Sequence, residues 1–412
     1  MSLKTVPPSV LKNEDFRRLC AAQFTSLTAT YAIYFASMAL VEEITRSSAQ
    51  MGLMIFSSTL PGLLFGLLAG VVVDRWERVR VLVTSNVLRS LIALGFLSAI
   101  HFLPPTSLLL AVYLCNFALS ALVQFVAAAE GATLPRLVGR ERLMAANSLL
   151  NLSSLGAQGA GLVVLAPVLI KLAGVEAVAL VSSILLAGAA SLVSWLPREE
   201  MPQRLSEART LAKLWGDLRE GWRFIAADRL VSLATLQLTL TSTVALVLST
   251  LAPGFVARIL GLRVEDMAYM MIPTGVGFGL GLALVGRRGN LRRRESWVNL
   301  GLFVLGLALA LMPALRRMEG GWLLFFVLVT MGLGFGFGLI TIPAKAILQG
   351  RPPAAMRGRV IAAQLTLGNA ANTLPLLLAG GLADLIGIRR ALFLVALVVV
   401  GAGVASVHRT RS

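Results

Sequence analysis

Apolar runs of about twenty residues recur along the whole chain, separated by short polar segments. A helix needs about 20 mainly apolar residues to cross the hydrocarbon core of a bilayer. The runs predict spans at about 18–41, 51–73, 79–100, 107–131, 143–170, 174–196, 229–257, 267–286, 296–315, 321–349, 358–383 and 388–408. The pattern therefore predicts an all-α integral membrane protein with twelve transmembrane helices.

Composition indicates that lipid is the solvent for most of the chain. Of the 412 residues, 57% are hydrophobic and 14% are charged, whereas a soluble domain carries roughly 25% charged residues. The first apolar run is longer than the core of a signal peptide and lacks a small-residue cleavage site. We therefore expect this run to be an uncleaved first span.

The distribution of basic residues predicts the orientation of the chain, because short cytoplasmic loops concentrate Lys and Arg. With the N-terminus inside, the inner segments hold 27 of the 37 Lys and Arg residues, and the outer loops hold eight. We expect a multi-pass protein of the bacterial inner membrane with both termini in the cytoplasm.

Several other classes of protein are disfavoured. The net charge of +17 does not indicate nucleic-acid binding, because no basic segment is interleaved with aromatic residues. Cys20 and Cys115 lie in separate apolar runs, which argues against a disulfide or a metal site. His101 and His408 are isolated, and the chain has no zinc helix, nucleophile elbow or Walker loop. We expect neither an enzyme nor a bound cofactor or metal.

One long connection divides the chain near its middle and predicts two bundles, 1–196 and 229–412, joined by a linker at 197–228. Apolar residues recur at helical spacing within the linker. They are Leu211, Leu214, Trp215, Leu218, Trp222 and Ile225. The pattern fits either a helix in the membrane interface or a solvated helix that touches the bundle.

An internal repeat supports the two-bundle division. The sequence Arg-x-Arg-apolar-apolar-Ala-Ala-amide begins at Arg140 and again at Arg357, 217 residues later. Gln-x-Thr also recurs, at Gln23 and at Gln237. Repeats of half the protein are typical of secondary transporters. The repeat predicts two pseudo-symmetric six-helix bundles.

The second span ends in Gly70-Val-Val-Val-Asp74-Arg75-Trp-Glu-Arg78-Val-Arg80, which resembles the loop signature of the major facilitator superfamily. Segments 13–17 and 380–384 extend the resemblance towards the branch that exports macrolides and siderophores such as enterobactin. The resemblance implies the major facilitator fold, a monomer, alternating access, export of an amphipathic small molecule and proton antiport.

Departures from that pattern leave a second function open. Glu77 replaces the signature glycine, and Thr30 stands about where the branch often has an Asp. The alternative is a facilitator or carrier of a lipid-like solute, of the lysophospholipid type, without proton coupling.

Charged residues inside or at the edge of spans are candidates for gating, because charge in the bilayer core is costly. They are Asp74, Arg75, Arg78, Arg89, Glu130 and Lys345. The resemblance implies that Asp74 faces the start of span 11. The repeat relates Glu130 to Lys345 and predicts a salt bridge between the halves, with Arg89 as the alternative partner. Arg89 also fits a structural cation that reaches towards the inner interface.

Uncharged polar residues within spans are candidates for lining a substrate cavity inside the protein, because an unpaired amide that faces the lipid bilayer is costly. They are Gln23, Tyr31, Tyr34, Asn116, Gln124, Asn147, Asn151, Gln158, Gln237, Asn369 and Asn372. Interhelical hydrogen bonding is the alternative for each of them.

Overall fold

The structure is a computed structural model that describes residues 8–197, 211–288, 294–315 and 322–411. Those residues are almost entirely helical and form no strand. The spans, numbered along the chain, are span 1 Glu14–Thr45, span 2 Ser48–Arg75, span 3 Arg78–Phe102, span 4 Pro105–Val138, span 5 143–172, span 6 175–194, span 7 Arg229–Ile259, span 8 Ala268–Arg288, span 9 Arg294–Leu311, span 10 Trp322–Gly350, span 11 Ala354–Ile386 and span 12 Ile388–Arg411.

Nine helical stretches of the described chain are long and apolar enough to cross a membrane. One of them, Leu143–Ser194, is interrupted by non-helical backbone at Ala173 and Gly174, where Gly174 has φ +82°. The interruption makes two spans of this stretch. Spans 11 and 12 have 33 and 24 residues, which also exceeds the length that a bilayer requires. The prediction of twelve helices is confirmed.

The helices form two compact units. One unit holds the described residues up to Ile44 and from Met54 to 197, and the other holds Thr45–Leu53 and the chain from Leu211 onwards. The turn between spans 1 and 2 therefore packs within the second unit. The helix Leu211–Ala227, called the linker helix below, also belongs to the second unit.

Equivalent spans pack in the same way in the two units. Span 3 packs against spans 4 and 6 in the first unit, and span 9 packs against spans 10 and 12 in the second. A buried hydroxyl pair fastens spans 3 and 6, where the Ser90 hydroxyl donates to the Ser183 carbonyl at 2.9 Å. The shared packing follows the half-chain repeat of the sequence.

Spans 8 and 10 approach each other closely because glycines face one another. A Cβ at Gly277 would overlap the carbonyl of Met331, and one at Gly334 would overlap the carbonyl of Thr274. Small residues allow this backbone contact, which is a common means of helix association in membranes.

The linker helix packs on the first part of span 11 and on span 7. Leu218 and Ile225 are buried, and Trp222 donates a hydrogen bond to the Ala363 carbonyl at 3.1 Å. Asp217 of the linker helix also pairs with Arg359 of span 11 at 2.8 Å. A linker helix that touches the bundle is therefore observed, and the exposed Trp215 leaves one side available to the membrane interface.

Asp228 joins the linker helix to span 7. Its carboxylate caps the span by accepting hydrogen bonds from Leu230 N and Val231 N at 3.0 and 3.2 Å, and it pairs with Arg351 at 2.7 Å. Desolvation acts to raise the pKa of Asp228, but the hydrogen bonds and the charge of Arg351 together lower the pKa.

Candidate functional site

Span 5 carries a row of exposed amides on one face. Asn147, Asn151 and Gln158 are all exposed, and intervals of four and seven residues place them along the same side of a helix. An amide that faces lipid without a partner costs several kcal/mol. Asn147 already donates to the Leu143 carbonyl of its own helix at 3.0 Å, so the row is a candidate for the lining of a water-filled cavity.

A π-helix at Ala160–Leu165 follows the amide row. Its Gly161 lies against span 1, where a Cβ would overlap the carbonyl of Thr28. Single turns of π-helix are frequent at functional sites.

Arg89 is completely buried in the first unit, with 0% of its surface exposed. Its guanidinium donates to the Asn86 side-chain oxygen at 3.0 Å, to the Ser26 carbonyl at 3.2 Å, and to the hydroxyls of Ser26 and Thr30. Arg89 therefore does not reach towards the interface. Neutral oxygens at its own depth satisfy most of its donors, which is what a buried cation requires.

Glu130 is the buried acid of the same unit, with 8% of its surface exposed. Its Oε2 accepts a hydrogen bond from Gln23 Nε2 at 3.1 Å. Within this unit, Glu130 forms no salt bridge with any described basic residue, including Arg89. A neutral amide thus holds the carboxylate, and Gln23 Oε1 is itself buried without a hydrogen-bond partner in the described chain.

Two of the candidate amides form hydrogen bonds between helices and do not line a cavity. Asn116 of span 4 donates to the Ser37 hydroxyl of span 1 at 2.8 Å. Asn372 of span 11 donates to the Ser242 hydroxyl of span 7 at 3.0 Å and accepts from Thr243 at 2.5 Å. Both asparagines are buried, so their hydrogen bonds stabilise helix packing in this structure.

The remaining candidates are either exposed or half-buried. Asn369 of span 11 and Lys345 of span 10 are exposed. The half-buried candidates are Tyr31, Tyr34, Gln124 and Gln237. The proposed pairing of Glu130 with Lys345 stays a prediction.

A hydrogen bond at the start of span 3 connects the loop between spans 2 and 3 to span 4. Asp74 and Arg75 are exposed, whereas Arg78 donates to the Ala132 carbonyl of span 4 at 3.0 Å. Glu77, which stands in place of the signature glycine, lies 3.6 Å from Arg80. Glu77 is mostly buried and Arg80 is exposed, and a pair with one solvent-exposed partner at that distance contributes little to stability.

Sequence reasoning missed the residues that hold Arg89. Ser26 and Thr30 lie four residues apart on span 1, and Asn86 precedes Arg89 by three residues on span 3. A search for hydroxyls and amides at helical spacing near each charged residue would have found them.

The chain matches the model of the Major Facilitator Superfamily over residues 19–374. This match covers most of the sequence, and the protein belongs to the major facilitator superfamily. The fold and the placement of the loop signature agree with that assignment.

Relatives of similar sequence include transporters of the same kind. The chain is 28% identical over 372 residues to the enterobactin exporter EntS of Escherichia coli, covering 85% of this chain and 81% of EntS. It is 23% identical over 346 residues to YfiS, an uncharacterized MFS-type transporter of Bacillus subtilis, with 84% and 81% covered.

Solved structures share the fold at low sequence identity. The nucleoside transporter NupG has a TM-score of 0.73 and 13% identity, with 97% of this chain and 99% of NupG covered. A bacterial homolog of the human lysosomal transporter Spinster has a TM-score of 0.69 and 14% identity, with 99% and 98% covered. These similarities support the major facilitator fold alone.

Proposed function

We propose that this transporter exports an amphipathic small molecule, of the siderophore or macrolide class, across the bacterial inner membrane by alternating access. The observation that carries the proposal is the exposed amide row Asn147, Asn151 and Gln158 on span 5. The similarity to enterobactin exporters over 85% of the chain supports the same direction and class of substrate.

The chemistry of the row suits such a substrate. Amides offer both donors and acceptors without a net charge, and they lie among exposed apolar residues such as Leu152 and Leu155. Sites of this kind hold a largely apolar ligand and orient it through a few polar groups. A macrocycle or an aromatic chelator with carbonyl and hydroxyl groups fits this combination.

Coupling to protons is proposed to run through Glu130. A buried ionised carboxylate that lacks a cationic partner is costly, whereas the protonated acid keeps its hydrogen bond to Gln23. Movement of Glu130 between a buried and a wet position would then bind and release one proton in each cycle. The charged or titratable groups that act on it within its unit are Arg89 and Cys20.

The second candidate is a carrier of a lipid-like solute without proton coupling. The absence of acidic side chains from the amide row of span 5 favours it, because that row itself offers no group that binds a proton at neutral pH.

Transport into inverted membrane vesicles tests the proposal. Vesicles with an acidic interior receive a catecholate siderophore, a macrolide or a lysophospholipid, and vesicles without the protein serve as the control. We expect the siderophore or the macrolide to accumulate and a protonophore to abolish the accumulation. Uptake of the lysophospholipid alone, unaffected by the protonophore, would support the second candidate, and movement of none of the three would contradict export of this class.

A further inference from the structure

One side of the linker helix is fixed against span 11. A Cβ at Gly221 would overlap the Arg359 carbonyl, so the backbones of the two helices are in contact at this point. Leu218 and Ile225 are buried, and their spacing from Gly221 places them on the same side of the helix. This packing sets which flanks of the linker helix remain uncovered.

The two acidic residues of the linker helix both bind span 11. Asp217 pairs with Arg359 Nε at 2.8 Å, and Glu220 accepts a hydrogen bond from the same guanidinium. Asp217 and Glu220 are three residues apart, so they lie on one flank of the helix. Their charges are directed at Arg359 and do not neutralise the other flank.

The other flank carries two tryptophans and two arginines. Trp215, Arg219 and Arg223 follow one another at intervals of four residues, and all three are exposed. The rings of Trp215 and Trp222 meet edge to face, with their centroids 5.5 Å apart. Neither arginine forms a hydrogen bond or an ion pair with another residue of the described chain. Two cations therefore lie beside an aromatic surface.

The contact with span 11 places the linker helix near the surface of the membrane. Span 11 has 33 residues and is about 50 Å long at 1.5 Å per residue. A centred hydrocarbon core of about 30 Å leaves about 10 Å of the span at each end. The Trp222 indole donates to the Ala363 carbonyl at 3.1 Å, about 13 Å from the start of the span. This is the depth at which lipid headgroups meet the hydrocarbon core.

Tryptophan and arginine together suit this depth. Tryptophan is enriched at membrane interfaces because its ring is apolar and its N–H group is polar. A guanidinium group can form two parallel hydrogen bonds to a phosphate. On the cytoplasmic side, which is the predicted side of the linker helix, anionic lipids attract basic residues near the surface.

We propose that Trp215, Arg219 and Arg223 of the linker helix bind the phosphate headgroup of an anionic phospholipid in the adjoining leaflet. The two arginines pair with the phosphate, and the rings of Trp215 and Trp222 lie against the lipid just below it. Because Arg359 holds the acidic flank to span 11, the bound lipid fixes the depth of the second unit in the membrane. The proposal does not depend on the substrate or on the direction of transport.

Fluorescence quenching by labelled lipids tests this surface. A fluorophore is attached at Ala226→Cys, an exposed position on the same flank, in the full-length protein with Cys20 and Cys115 replaced by serine. The bilayers are mainly phosphatidylcholine, and a quenching spin label near the headgroup is carried either by phosphatidylglycerol or by phosphatidylcholine. We expect half-maximal quenching at a fraction of labelled phosphatidylglycerol at least about tenfold lower than that of labelled phosphatidylcholine, because each basic residue near the surface contributes about fivefold in affinity.

Paired substitutions assign the preference to the two arginines. Arg219→Gln with Arg223→Gln should bring the two half-quenching fractions to within about twofold of each other, because both cations are lost. Arg219→Lys with Arg223→Lys keeps the charges and should retain most of the preference. Arg389→Gln with Arg390→Gln is the matched control. It removes two exposed arginines at the start of span 12, beyond the other end of span 11, and should retain the full preference.

Three results would overturn the proposal. The first is equal quenching by the two labelled lipids in the unmodified protein. The second is a preference for phosphatidylglycerol that persists when Arg219 and Arg223 are both glutamine. The third is the absence of quenching by either lipid, which would show that the linker helix does not contact the bilayer.

Discussion

The Glu130 carboxylate on span 4 accepts a hydrogen bond from the Gln23 amide on span 1 at 3.1 Å. Both side chains are buried in the first unit, together with the fully buried Arg89. The acid and the cation of this unit are each held by neutral groups. Since buried charges are normally paired or neutralised, we expect this acid to be the proton-binding group of the proposed cycle.

Exposed and buried asparagines should respond differently to the same substitution. Asn151→Leu removes a hydrogen-bonding group from the exposed row, worth roughly 0.5 to 1.5 kcal/mol, so the KM for substrate should rise by up to about tenfold without loss of folded protein. Transport kinetics and thermal unfolding in detergent measure the two effects.

Asn116→Leu is the matched control, because it leaves the buried Ser37 hydroxyl without its partner from span 4. It should lower the free energy of unfolding by about 1 to 3 kcal/mol and change the KM little. The account of the amide row is wrong if Asn151→Leu lowers stability and leaves the KM unaltered.

The loop acid Asp74 should be needed for transport and not for folding. Its carboxylate is exposed at the end of span 2, and span 11 begins without a side-chain cap or an acidic residue in its first turn. If Asp74 caps span 11 when the inner face closes, Asp74→Asn should remove most transport while expression and membrane insertion stay normal.

Glu141→Gln provides the comparison for Asp74, since Glu141 is also an exposed acid in a loop on the same side of the chain. It should transport like the unmodified protein. Normal transport by Asp74→Asn would show that the acid only contributes to topology.

The predicted salt bridge between Glu130 and Lys345 can be examined by exchanging the charges. Glu130→Lys and Lys345→Glu should each abolish transport, because each brings two like charges together, and the double variant should regain transport, because opposite charges would again meet. Transport rates and protein levels of the three variants are measured together. Recovery in Glu130→Arg with Arg89→Glu, and not in the first pair, would assign the acid to the packing of its own half.

The spans and the two-bundle fold could be predicted because they depend on the length of apolar runs and on the positions of basic residues, both of which can be counted directly in the sequence. The linker helix was visible for the same reason, since Leu218 and Ile225 recur at helical spacing. The contacts of polar residues were harder to foresee. Asn116 and Asn151 are the same residue type in similar apolar surroundings, and only the packing of the helices shows that one is buried and the other exposed.

Contacts between distant parts of the chain were the least visible. Nothing in the local sequence pairs Asp384 with Ser48, because the Asp384 carboxylate that accepts a hydrogen bond from Ser48 N at the start of span 2 comes from the other half of the chain. In the sequence, Ser26 and Thr30 likewise resemble ordinary helix residues. Only the structure shows that they contact Arg89. Such contacts become visible only in the three-dimensional arrangement.

Proton movement in proteoliposomes is the most direct test of coupled export. The protein is reconstituted with a pH-sensitive dye inside, and substrate is added outside in the absence of any other driving force. We expect substrate to drive a change of internal pH with the unmodified protein. Glu130→Gln should abolish the pH change while the exchange of labelled for unlabelled substrate continues, and Glu141→Gln should behave as the unmodified protein. A pH change that persists in Glu130→Gln would contradict coupling through this acid, and no substrate exchange in any of the three proteins would contradict transport of that substrate.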